Sequence, residues 1–147
     1  MNLVNAPSFS KTLNTALVSI AFAAGGLIGA HVDADGHFPT EHKGLEVEQL
    51  AVVSEESMSR QLNLDGRILL ARRITIMPGG QIARHSHESV PGIVFMESGA
   101  WTEGSDEGEV VRSAGDAFIE DADTTHWFYN HSDVPASALV FDIKPAK

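Results

Sequence analysis

The 147-residue chain contains no cysteine. That absence removes disulfides, thiolate metal sites, iron–sulfur clusters, a cysteine nucleophile and a lipidated lipoprotein start. Any metal must therefore be held by nitrogen and oxygen. Basic residues are scarce: ten Lys and Arg stand against twenty Asp and Glu, a formal charge of −10. No Lys/Arg run occurs, so no nucleic-acid partner is expected, because affinity for a phosphate backbone is mostly electrostatic. Also missing are G-x-S-x-G, the P-loop, G-x-G-x-x-G and H-E-x-x-H, which removes the commonest hydrolase, nucleotide and metalloprotease signals.

A long apolar run is lacking too. The uncharged stretch "ALVSIAFAAGGLIGA" (16–30) has fifteen residues, short of the roughly 20 that a bilayer-spanning helix needs. It follows Lys11 and the amino terminus, and Ala30 or Ala34 could precede a cleavage point. Residues 1–34 are therefore expected to be a signal peptide. The mature chain would be periplasmic or secreted, with no stable membrane insertion after cleavage. Residues 35–44 complete the polar, Gly- and Pro-broken stretch "HVDADGHFPTEHKG" (31–44), which reads as a linker. Its His31, His37 and His42, with Asp33 and Asp35, are irregularly spaced, and solvated side chains are the expectation there.

What is present from Leu45 onward is mostly strand signal. "LEVEQLAVV", "GRILLARRITIM", "IVFM" (93–96), "AFI" (117–119), "HWFY" (126–129) and "SALVFDI" (137–143) are β-rich and separated by Gly, Pro and Asp turns. "PGG" (78–80) is expected to end a strand, and "GSDEG" to close a hairpin between "AWTEG" and "EVVR". Only "EESMSRQL" (55–62) has helical character. Short strands at regular spacing predict an all-β fold, a single sandwich or barrel over 45–147.

Chemistry gathers at "RHSHESVPG" (84–92). In a strand, residues two apart share a face, so His85 and His87 project side by side, while Arg84, Ser86 and Glu88 point away. Two imidazoles need a third ligand from elsewhere, and His126 in "THWFYN" is the candidate. By the same alternation Phe128 shares the face of His126. Arg72 and Arg73 are adjacent on one strand, so one must face inward, where it could pair an anionic ligand, or lie on an edge and bond only to surface carboxylates. His131 with Ser132 and Asp133 belongs to a polar turn, too close in sequence to form a triad.

The wider spacing resembles the two motifs of the cupin superfamily. Gly79, His85, His87, position 92 and Gly99 are separated by five, one, four and six residues. Gly115, Asp121, Asp123, His126 and Asn130 keep the spacing of the second motif, with aspartates where the family usually has Pro and Gly. The resemblance implies a cupin-type jelly-roll (double-stranded β-helix) barrel with its edge strands covered in a homodimer, the family's usual arrangement. It implies one divalent transition metal ion (Fe, Zn, Mn, Ni or Cu) on His85, His87 and His126. Gly92 departs from the pattern, because the family's glutamate ligand belongs there. Glu97 or Glu103 could supply a substitute oxygen, or water could. Asn130 is expected to brace a strand end.

Two functions follow from the resemblance. One is a mononuclear metal-dependent enzyme, of dioxygenase, lyase or isomerase type, acting on a small organic molecule. The other is a non-catalytic module that binds a small ligand or a metal.

Overall fold

The computed structural model of the chain describes residues 38–147. The expected signal peptide and residues 35–37 of the expected linker, with His31 and His37, lie outside the described residues. The described elements are β1 (Lys43–Val53), α1 (Glu55–Leu62), β2 (Arg67–Ser86), β3 (Gly92–Ser98), β4 (Ala100–Ser105), β5 (Gly108–Ser113), β6 (Ala117–Glu120), β7 (Thr125–Tyr129) and β8 (Ala136–Pro145). All strand pairs are antiparallel, in the order β5-β4-β7-β2-β8-β3-β6 with β1 on β2. This is the all-β, curled jelly-roll barrel that the sequence predicts.

One strand organises it. β2 runs for 20 residues and serves both halves of the barrel. Up to Ile76 it pairs with β8, from Gln81 it pairs with β7, and β1 follows it across the corner, Leu45 opposite Ile76 and Lys43 opposite Gln81. "PGG", expected to end a strand, is instead the corner where β2 changes partner without stopping. Gly79 takes φ +66, a left-handed conformation that glycine adopts without a Cβ clash. Its N–H donates to Asn130 O at 2.9 Å, and Asn130 N–H donates to Gly80 O at 3.0 Å. Both backbone groups at the bend are satisfied, which is why the chain can turn there inside a sheet. The Asn130 side chain is fully buried and braces the same corner, donating to Ile76 O and Val134 O, each at 2.8 Å.

Period-2 alternation then fills the interior. Val94 and Met96 point inward from β3, and His126 and Phe128 from β7, while Ile93 and Phe95 point outward. The core gathers Ile74, Ile76, Ile82, Val94, Met96 and Trp101 with Phe128. Full burial of a Val, Ile or Phe side chain contributes roughly 1.5–3 kcal/mol, and Trp101 also satisfies its indole N–H on Ala136 O at 3.0 Å. α1 opens on Ser54, whose Oγ accepts from Ser57 N–H, and closes on left-handed Asn63.

The segment before β1 is bound to the barrel. Between Ile82 and His85 the β2–β7 register slips, so the N–H groups of Ala83 and Arg84 need other acceptors. They donate to His42 Nδ1 at 3.1 Å and Pro39 O at 2.8 Å. Phe38 packs on Trp127 with ring centroids 5.8 Å apart. Residues 38–42 thus lie along the strand that carries His85.

Candidate metal centre

His85 near the end of β2 and His126 on β7 are direct cross-strand partners, so their side chains leave the sheet on one face. His87 follows β2, anchored by its N–H on Thr124 O at 2.9 Å. The three ring centroids stand 4.9, 4.8 and 5.0 Å apart, nearly an equilateral triangle. One ligand nitrogen from each ring lies within 4.8 Å of the other two.

Each ring is fixed from behind. His85 Nδ1 is 2.8 Å from Ala83 O, His87 Nδ1 is 2.9 Å from Val90 O, and His126 Nδ1 is 2.7 Å from Glu103 Oε1. A carbonyl or carboxylate oxygen can only accept, so each Nδ1 carries the proton and each Nε2 keeps a lone pair. The Nε2 atoms of His87 and His126 are buried with no hydrogen-bond partner among the described residues. Burial pulls His85 down to about 4, against the opposing bond to Ala83 O, and it pulls His87 down as well. Both rings are neutral at pH 7. Neutral imidazoles with Nδ1–H held and Nε2 convergent are what a transition metal requires, and the residues present fit one.

The carboxylates sort differently from expectation. Glu97 faces outward, accepting from Arg73 at 2.7 Å, and does not join the histidines. Glu103 stands behind His126 with its second oxygen on Arg112 at 2.7 Å. Burial pushes the Glu103 carboxyl up, but hydrogen bonds from His126 and Arg112 and the charge of Arg112 outweigh it, leaving the carboxyl below its ordinary value. It orients a ligand; it is not placed as one.

The carboxyl that does reach the imidazoles is Glu120, which sequence reasoning missed. It is 4% exposed, with Oε1 3.5 Å from His126 Nε2 and Oε2 3.6 Å from His87 Nδ1. Its strand was expected to stop at Ile119; carried one residue further, the alternation that turns Phe118 inward turns Glu120 inward too. Burial pushes its carboxyl up to about 8, the neighbouring Asp142 adding to the rise and Arg72 opposing it. Arg72 is the inward arginine, paired with buried Asp142, while Arg73 faces outward to Glu48 and Glu97.

Above the histidines lies a cavity of about 360 Å³ whose walls include Ile74, Ile82, Val94, Trp101, Phe128 and Val140. The Phe128 ring is 4.5 Å from His126, as the shared face predicts. His42, Arg72 and Lys144 contribute polar atoms to the same lining. Asp121 and Asp123 form a turn with Thr124, and His131 stacks on Tyr129 outside the cavity.

Residues 72–142 match the family model described as Cupin domain. Among solved structures, the chain is similar to a predicted oxalate decarboxylase from Thermotoga maritima, with 21% identity, a TM-score of 0.55, and coverage of 72% of this chain and 92% of that one. It is also similar to the cupin domain of an XRE family transcriptional regulator from Enterobacter cloacae, at 16% identity and TM-score 0.54, covering 70% and 99%. A polyketide cyclase from Streptomyces resistomycificus aligns at 16% identity and TM-score 0.56, covering 74% and 70%. At these identities the likeness is one of fold. Curated protein sequences yield no match.

Proposed function

The chain belongs to the cupin superfamily, and from that premise we propose that it is a mononuclear metal-dependent enzyme acting on a small organic molecule. The observation that carries this is the set of three imidazoles, each tied at Nδ1 and each turning Nε2 to a common point. His85, His87 and His126 would hold the ion, which would supply Lewis acidity or, if iron, access to oxygen chemistry. The chain's other residues bind and shield. The apolar walls exclude water and take an apolar body, and a volume of about 360 Å³ suits a small molecule. Lys144 places positive charge on a lining that also holds the Arg72–Asp142 pair, which favours a substrate with an anionic or carbonyl end. Glu120 puts an ionisable group beside the ligands, which a cavity built only for apolar binding does not need.

The test is a panel of small carboxylic acids, thiols and diketones incubated with metal-loaded protein and with His87→Ala. Product formed by the wild type and abolished in the variant supports the enzyme. Saturable binding of panel members without turnover would make the chain a ligand-binding module instead. Export and assembly into a homodimer belong to the same proposal. Cell fractionation and sedimentation velocity test them, and a cytoplasmic monomer contradicts both.

A further inference from the structure

We propose that Glu120 supplies the carboxylate ligand that Gly92 lacks, so that the acid of the metal set comes from β6 and not from β3. This deepens the three-histidine assignment and depends on it. Gly92 sits in the middle of three adjacent strands, with Glu120 its Cα partner on β6 and Asp142 its partner on β8. Side chains at directly paired positions share a face, so the glutamate expected at 92 would stand between two carboxylates. Any side chain there requires the Glu120 carboxylate to move. A Cβ built on Gly92 meets Glu120 Oε2 at 2.6 Å and Asp142 Oδ1 at 3.0 Å. The carboxylate of Glu120 occupies the volume that the first carbon of a side chain at 92 would fill, so a glutamate at 92 would displace it.

Of the two neighbouring acids, Asp142 is committed to Arg72 through Oδ2. Among the described residues Glu120 has no Lys or Arg ion pair of its own. Its Oε2 is buried without a hydrogen-bond partner among those residues, as are Asp142 Oδ1 and the Nε2 atoms of His87 and His126. The 3.5 Å between Glu120 Oε1 and His126 Nε2 matches two donors sharing one ion, since bonds of about 2.0–2.2 Å place neighbouring ligands roughly 3–3.5 Å apart. The set of three imidazoles and one carboxylate would then be completed by a residue from the next strand.

Zn²⁺ affinity, measured by competition with a chromophoric chelator, tests this in the wild type, Glu120→Gln, His87→Ala and the double variant Gly92→Glu/Glu120→Gly. Glutamine keeps the shape of Glu120 and removes the charge. The wild type is expected to bind one equivalent, Glu120→Gln to bind at least about tenfold more weakly, and the double variant to recover to within a few-fold of wild type. Wild-type affinity in Glu120→Gln overturns the inference and leaves the three-histidine site standing. No zinc bound by the wild type, with His87→Ala indistinguishable from it, overturns the site and the inference together.

Discussion

At the scale of single residues, the centre depends on what stands behind each imidazole. Glu103 is the most exposed to test, because it alone fixes the tautomer of His126 through a side chain, where Ala83 O and Val90 O do so for the other two rings. Removing such a support usually costs 10–100-fold in metal affinity. Glu103→Ala is therefore expected to weaken zinc binding by about that factor, and Glu103→Gln by less, since its amide oxygen can still accept. Chelator competition checks this, and wild-type affinity in Glu103→Ala contradicts it. Glu97 does a different job on the outer surface. Hydrogen bonds from Arg73 and the charge of Arg73, with a smaller contribution from Ser137, hold its carboxyl below the ordinary value of 4.5 against a desolvation cost. A carboxyl depressed in the folded state stabilises above its unfolded value, and that contribution is lost as pH falls through the folded one. Glu97→Gln should thus lower Tm slightly at pH 7, less in high salt, and the difference should vanish below the ordinary carboxyl range. A gap that widens at pH 3 contradicts this.

At the scale of elements, β7 must be held accurately because it carries His126 and Phe128 inward. Its outward Trp127 lies across Gly104, the Cα partner on β4. A Cβ on Gly104 would meet Trp127 Nε1 at 2.2 Å and Cε2 at 2.4 Å. Overpacking of this kind costs about 1–3 kcal/mol, so Gly104→Ala should shift the urea midpoint downward by a corresponding amount. An unchanged midpoint would show that the ring moves aside freely. Elements were also where the sequence was most legible. Strands at 93–96, 126–129 and 137–143, the hairpin around 104–108 and the helix at 55–62 all lie where alternation and turn residues place them. Pro78-Gly79-Gly80 misled because local chemistry is the same for a strand end and a strand corner. Only the partners, β8 before and β7 after, distinguish them.

At the scale of the whole molecule, strand order decides which distant residues meet. The histidines were legible because His85 and His87 stand one residue apart and the third keeps the spacing of a known motif. Glu120 was not, because its relation to Gly92 follows from β6 lying beside β3, which no local pattern records. The same holds for Arg72, whose inward direction is set by Asp142 on β8. These contacts converge on a single claim, that the barrel binds one metal ion on His85, His87 and His126. Elemental analysis of protein purified from its native compartment, beside His87→Ala, tests it most directly. Close to one equivalent of a transition metal in the wild type and loss of it in the variant is the predicted result. Metal at about a hundred times its Kd should then raise wild-type stability by about 2.7 kcal/mol. No metal in either protein, and equal Tm values after metal is added to both, would contradict the account.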